Sequence, residues 1–427
     1  MAAAAKRQFR PSALDNVEDI ENYRPGGFHP IHIGDELQDR YKIVHKLGYG
    51  GFSTVWLARD KVDEQYVALK ILAASSQQES KELGVLQKLV EPSTDHPGQN
   101  SVLSLLNNFV IEGPNGRHLC LVVQVAGPSI AALNYSPGAV AGSRRLRPEL
   151  AVKVANQTVQ ALDFVHSQGF CHGDVTASNI LIRLDKSIDT WSQEDVYERL
   201  GLPIKDEIGT ISGSAPGASA PKYIVEPCSL LNPQLLSEDI LLADFGCAFP
   251  SNNPPSNPDE IGLTMSYSAP EVIFDSKMSV YSDIWALGCV LFEIRSGAQL
   301  FGDWIGTKDD ILRQMIQAFG KLPEPWWSLW DQRGAFFDDN GEPRTTWDDG
   351  IARATKFELN DMIAEIGAED EEEDDPERPC AVMLEPNGVT VPEEEASQMK
   401  DLLEKILKWI PEERISIKEI AKHSWLS

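Results

Sequence analysis

From Tyr41 onward the chain alternates β-branched and aromatic residues with polar ones. YKIVHKL (41–47) and STVWLARD (53–60) flank a glycine cluster, and YVALKIL (66–72) follows the turn-like DKVDEQ. Period-two alternation bounded by turn residues predicts three consecutive strands. QQESKELGVLQKLV (77–90) repeats Leu83, Leu86 and Leu89 at intervals of three and predicts a helix, and HLCLVVQV (118–125) predicts a further strand before Gly127 and Pro128. Beyond Pro128 the period changes. Ala151, Ala155, Val159, Leu162 and Val165 mark one face of a helix that stops near Gly169, and 283–296 and 398–409 read the same way. The expectation is an α+β chain: an extension without periodicity (1–35), a β-rich part with one main helix (36–126) and a mostly helical part (127–427).

Two segments interrupt the helical part. The first, 185–238, contains GTISGSAPGASAP (209–221) and reads as a spacer-like insert. Within it, Trp191, Tyr197 and Leu200 predict one short helix packed on the lobe, and PKYIVEP (221–227) predicts an extended return. The second, about 338–395, holds twenty Asp and Glu against Arg344, Arg353, Lys356 and Arg378, a local net of −16. Its densest part, EDEEEDD (369–375), reads either as a solvated loop or as a docking surface for a cationic partner.

Composition narrows the class. The 427 residues are 42% hydrophobic and 24% charged, which is ordinary globular usage. Lys and Arg number 38 against 65 Asp and Glu, a formal net charge of −27 that repels nucleic-acid phosphates and favours basic partners. Six cysteines carry no C-x-x-C pair, which predicts free thiols in a reducing compartment. MAAAA is too short for a signal-peptide core, and no uncharged apolar run reaches about 18 residues. A soluble intracellular protein is expected, with no membrane span and no direct nucleic-acid binding.

The candidate chemistry lies in four blocks. Gly48-Tyr49-Gly50-Gly51-Phe52-Ser53-Thr54-Val55 joins two predicted strands, where the lack of Cβ atoms lets backbone N–H groups approach phosphate oxygens. Lys70 follows on the third strand, placed to pair with nucleotide phosphates and with a helix glutamate; Glu82 is the first choice for that partner and Glu79 the alternative. His172-Gly173-Asp174-Val175-Thr176-Ala177-Ser178-Asn179 and Asp244-Phe245-Gly246 then supply two carboxylates and a carboxamide. Asp174 is suited to orient an acceptor hydroxyl and receive its proton, and Asn179 and Asp244 to hold Mg²⁺ through oxygen. With Tyr267-Ser268-Ala269-Pro270-Glu271 and Asp283-Ile284-Trp285-Ala286-Leu287-Gly288 in order, the set matches the protein-kinase signature.

Over roughly 36–427 the chain resembles a bilobal eukaryotic protein kinase, and the SR-protein kinase family in particular. The narrower likeness rests on Tyr23, Gly26-Gly27-Phe28-His29, Ile33-Gly34-Asp35, Arg40-Tyr41 and Phe52-Ser53-Thr54-Val55-Trp56-Leu57, with a serine at the third loop glycine. A split between the two catalytic loops adds to it: a connecting hairpin needs roughly 12–16 residues, whereas Asn179 and Asp244 are 65 positions apart. The resemblance implies phosphoryl transfer from ATP with Mg²⁺ to serine or threonine in Arg/Ser-rich proteins such as splicing factors, by a monomer of the cytoplasm or nucleus. It also implies that Leu47, Ala68 and the glycine loop line the ATP site, with Val123 as gatekeeper and Gln124 to Ala126 as hinge. Thr264 would line the acceptor pocket, Glu271 would pair with Arg414, and Asp283 would support the catalytic loop.

Two departures bear on activity. Gly173 stands where kinases usually carry arginine, so a phosphate on the activation segment would lack its cationic partner; activity that survives phosphatase treatment is expected. Thr176 stands where serine/threonine kinases usually carry lysine, and its hydroxyl brings no charge to the transferring group. Slowed catalysis is one consequence; an ATP-binding pseudokinase scaffold is the alternative reading.

Overall fold

The structure is a computed structural model, and it describes residues 7–75, 79–91, 95–134, 145–184, 186–228, 230–231, 233–257, 264–302, 307–344, 354–368, 370 and 381–427. The chain divides into two compact units. The first is Met1–Pro92, Leu103–Pro128 and Arg183–Ser237; the second is Ser93–Val102, Ser129–Ile182 and Glu238–Ser427.

The first unit is built on a six-stranded antiparallel sheet: β1 (Glu36–Leu37), β2 (Tyr41–Tyr49), β3 (Ser53–Asp60), β4 (Gln65–Leu72), β5 (Leu105–Gly113) and β6 (Gly116–Gln124), in the order β1-β2-β3-β4-β6-β5. The strand β5 was not legible, because Asn107 and Asn108 interrupt its apolar pattern. Helix α1 (Glu79–Val90) presents Glu82, Val85, Leu86 and Leu89 as its buried face. That is an i, i+3, i+4, i+7 stripe; Leu83, from which the period was first read, is only half-buried.

The segment assigned from sequence to the helical part, 185–238, falls with the first unit instead. Its predicted helix forms at Gln193–Leu200, opened by a reciprocal capping box between Ser192 and Asp195. Trp191, Val196 and Leu200 bury their side chains with Val44, Leu57 and Tyr66 of the sheet. The predicted return forms at Tyr223–Val225, antiparallel to Lys205–Glu207. Burial of apolar surface explains the reassignment: these side chains find their covering on the sheet. The extension is likewise packed, with Phe9, Ile20, Tyr23 and Phe28 sharing a core with Ile208, Ala220 and Ile224 of the insert.

In the second unit, the Pro148–Ser167 helix buries all five residues of its predicted stripe. The Val280–Ser296 helix starts three residues before the predicted position, because Ser279 caps it, and ends at Gly297, whose φ of 74° suits a left-handed C-terminal cap. The helix predicted at 398–409 spans Glu393–Ile406, its start advanced by Pro392 and three glutamates that favour the N-terminal dipole. The rings of Trp285, Phe301, Phe319 and Trp409 pack at 5.9–6.3 Å between centroids. Among the described residues no helix is long and apolar enough to cross a membrane, and the five described cysteines are free thiols.

Candidate active site

In the first unit the glycine-rich segment is the tip of the β2–β3 hairpin, paired Gly48 to Val55 and Tyr49 to Thr54 and closed by a bond from Gly50 N–H to the Ser53 carbonyl at 2.8 Å. None of Gly48, Gly50 or Gly51 needs a left-handed backbone, and a Cβ built on any of them meets nothing within 4 Å. The glycines therefore keep an open cradle beside the backbone, which is room for phosphate oxygens. Phe52 is exposed at the tip, while Ser53 is buried and Leu47 half-buried at the base.

Lys70 sits in β4 between Val55 of β3 and Leu121 of β6. Its Nζ donates to Glu82 Oε1 at 2.6 Å, and the glutamate is 4% exposed. The side chain of Glu79 lies outside the described residues. Ala68 pairs with Val123 and Val67 with Gln124, so buried Ala68 and Val123 are neighbours in the sheet that leads into Ala126.

In the second unit the catalytic-loop residues are held by backbone as well as side-chain bonds. Asp283 accepts the N–H groups of His172 at 2.8 Å and Gly173 at 2.9 Å, and its carboxylate also meets His166 Nε2 at 2.9 Å. Asn179 Nδ2 donates to the Asp174 carbonyl at 2.9 Å and to its Oδ2 at 2.8 Å. Burial raises the Asp174 pKa; His172 and the Asn179 bond oppose this, and the charges of Asp244 and Asp283 add to it. Thr176 is buried, 4% exposed, and opens the short turn that carries Asn179.

Asp244 has a left-handed backbone (φ 61°), uncommon for a side-chain-bearing residue. Its carboxylate accepts Gly246 N–H at 3.2 Å and is exposed, while Phe245 is buried with its ring 4.9 Å from that of His172. Gly173 (φ 80°) lies so close to this segment that a Cβ on it would stand 2.5 Å from the Cys247 carbonyl oxygen. Gly173, Asp174, Thr264, Tyr267 and Ser268 line one small pocket of about 30 Å³. Glu271 and Arg414 form a separate buried pair, with two parallel bonds of 2.7 Å, and the guanidinium lies 5.1 Å from the Trp285 ring centre.

One polar group beside this pocket was missed from sequence. Glu293 is fully buried in the Val280–Ser296 helix and accepts the Tyr267 hydroxyl at 2.5 Å. Burial lifts its carboxyl to about 7. A lone glutamate within the apolar run VLFEI was the available signal.

Comparisons agree with this geometry. A family model described as "Protein kinase domain" matches residues 41–190 and 230–426, leaving out most of the insert. The chain is 27% identical to serine/threonine-protein kinase SRPK of Physarum polycephalum, over 96% of this chain and 91% of that protein. It is 27% identical to protein kinase dsk1 of Schizosaccharomyces pombe, over 72% and 71%. With SRSF protein kinase 3 of Homo sapiens it shares 22% identity over 97% of this chain and 91% of that protein.

Proposed function

Because the chain belongs to the protein kinase family, as a serine/threonine kinase similar to the SR-protein kinases, we propose that it transfers the γ-phosphoryl group of ATP to serine in Arg/Ser-rich basic proteins. The observation that carries the reading is the Asp174–Asn179–Asp283 arrangement, a carboxylate bonded to Asn179 on a loop whose N–H groups are themselves held by Asp283. Asp174 orients the acceptor hydroxyl and takes its proton. Lys70, paired with Glu82, binds ATP phosphates, and the hairpin tip, open at Gly48, Gly50 and Gly51, covers them.

The residues fit Mg²⁺. Asn179 and Asp244 offer hard oxygen atoms, and Asp174 and Asp244 lie near enough that each charge disfavours the other, a repulsion that a cation relieves. When bound, Mg²⁺ would neutralise phosphate charge. Thr176 supplies a hydroxyl without charge, and the missing cation costs about 3 kcal/mol of barrier by analogy with the loss of one electrostatic donor. The comparisons lend no support to the scaffold alternative, since the relatives are named as kinases.

The substrate class is supported by the net charge of −27 and by the name of the human relative. An arrayed peptide library phosphorylated by the wild type, Asp174→Ala and Thr176→Lys tests the whole reading. Expected are serine acceptors flanked by arginine, at least a ~100-fold loss in Asp174→Ala with Mg·ATP binding kept, and a faster Thr176→Lys enzyme. Binding of Mg·ATP by the wild type without transfer to any basic peptide would sink it.

A further inference from the structure

The tip of the β2–β3 hairpin is held by backbone bonds, from Gly50 N–H to the Ser53 carbonyl and from Ala73 N–H to the Phe52 carbonyl, each at 2.8 Å, and by few side chains. Its three glycines carry no side chains, and Phe52 is 57% exposed. The β2–β3 ladder is also irregular at its base, where the register shifts between Lys46 and Gly48. Side-chain chemistry adds to the backbone in fixing the base. Lys46, the residue before Leu47, is a fully buried lysine whose ammonium is paired with Glu18 of the extension, itself 3% exposed. Glu18 also accepts the hydroxyl of buried Tyr23 at 2.5 Å. The Lys46 ammonium faces the rings of Tyr49 at 5.4 Å and Trp56 at 5.7 Å, one on each strand of the hairpin. Tyr49 in turn reaches Asn16 at 3.3 Å, and the Lys46 carbonyl accepts Cys228 N–H of the insert at 2.9 Å.

We propose that Glu18 is a positioning residue for the nucleotide-binding hairpin, acting through Lys46. An ammonium without its counter-charge is not tolerated in an apolar interior; it neutralises or draws the strand toward water. Burial already lowers the Lys46 pKa, and Glu18 is what opposes that shift. The carboxylate therefore keeps Lys46 charged and in place against Tyr49 and Trp56, and so sets where Gly48 to Gly51 lie. The extension is on this account a working part of the ATP site, acting through Lys46. The inference rests on the hairpin binding ATP, as proposed above.

The test compares the full chain with Glu18→Gln, Tyr23→Phe and Glu18→Leu/Lys46→Met. Hydrogen exchange over 47–55 should rise about tenfold in Glu18→Gln while 65–72 stays unchanged, and should return most of the way in the double variant, which removes both charges. KM for ATP should rise about fivefold with KM for a basic peptide within twofold. Tyr23→Phe removes one hydrogen bond, so it folds even if Glu18→Gln does not, and should show the same local pattern at roughly threefold. Unchanged exchange over 47–55, or an equal rise throughout the first unit, would overturn the inference and leave Glu18 with a stabilising role only. Exchange needs no turnover, so a chain that transferred no phosphate would refute the proposed function while the exchange pattern still decided the part played by Glu18.

Discussion

Replacing Gly173 by alanine isolates the contact that separates this catalytic loop from one bearing arginine. Two costs add at this position. A side chain at φ 80° pays about 1–2 kcal/mol for the left-handed region. The new Cβ would also stand 2.5 Å from the Cys247 carbonyl oxygen, and both sides of that contact are backbone, so the Asp244–Cys247 turn must move. Overpacking of this kind costs about 1–3 kcal/mol, which brings the sum to about 2–5 kcal/mol. Gly169 is the control: its φ is 82° and a Cβ there meets nothing within 4 Å, so Gly169→Ala bears only the conformational cost. At about 2–4 °C per kcal/mol, calorimetry should place Gly173→Ala some 2–12 °C below Gly169→Ala. Phosphotransfer should fall with it, since Phe245 and Asp244 share the displaced turn and Asp174 is the next residue. Equal melting of the two variants would refute the close approach. The same steric argument applies to any side chain, so restoring the customary arginine at 173 should harm this protein.

Two further outcomes follow from buried charge. Glu271→Gln should lower stability by about 3 kcal/mol in urea titrations, because Arg414, with a fully buried side chain, keeps three backbone carbonyls but loses its counter-charge; a change below about 1 kcal/mol would contradict the burial argument. The Glu293 carboxyl, raised from 4.5 to about 7, holds a proton that the unfolded chain has released, so stability should fall as pH rises through that window, by about 3 kcal/mol in all. Glu293→Gln should remove that slope and be the more stable protein at pH 8; a parallel pH profile would count against it.

What the sequence disclosed was what repeats locally. The stripe Ala151, Ala155, Val159, Leu162 and Val165 is one helix face with one period, and all five residues are buried. Lys70 and Glu82 are twelve positions apart on adjoining elements, and the kinase motif template pairs such a strand lysine with a helix glutamate. Other features lack a local signature. Glu18 meets Lys46 across 28 positions from a segment with no periodicity, and Trp191 finds Tyr66 across 125. Gly173 gave a different difficulty: a glycine records that something is close but not what, and only the fold supplies the Cys247 carbonyl.

The acidic stretch shows the same limit for charge, and it changes how its docking role must be tested. Among the described residues, three of its carboxylates pair with buried arginines. Arg145, 1% exposed, binds Asp370 at 2.6 Å and Glu385 at 2.6 Å, and the fully buried Arg295 binds Glu385 at 2.9 Å and Glu395 at 2.6 Å. Neutralising all of EDEEEDD would therefore strip a buried arginine of one partner as well as removing the charge of the block. Glu369 and residues 371–375 lie outside the described residues, and their sequence supplies six negative charges. Serine at 371–375 with Asp370 kept should leave the melting temperature within about 1 °C, weaken an Arg-rich peptide several-fold and flatten the salt dependence of its binding, because the attraction of a like-charged block for a cationic peptide is screened by salt. Asp370→Asn should do the reverse, lowering stability by about 2 kcal/mol with peptide affinity intact, since Arg145 retains Glu385. Unchanged peptide affinity in the first variant would mean that the block serves solubility, and that the charge selecting a basic substrate lies elsewhere on the chain.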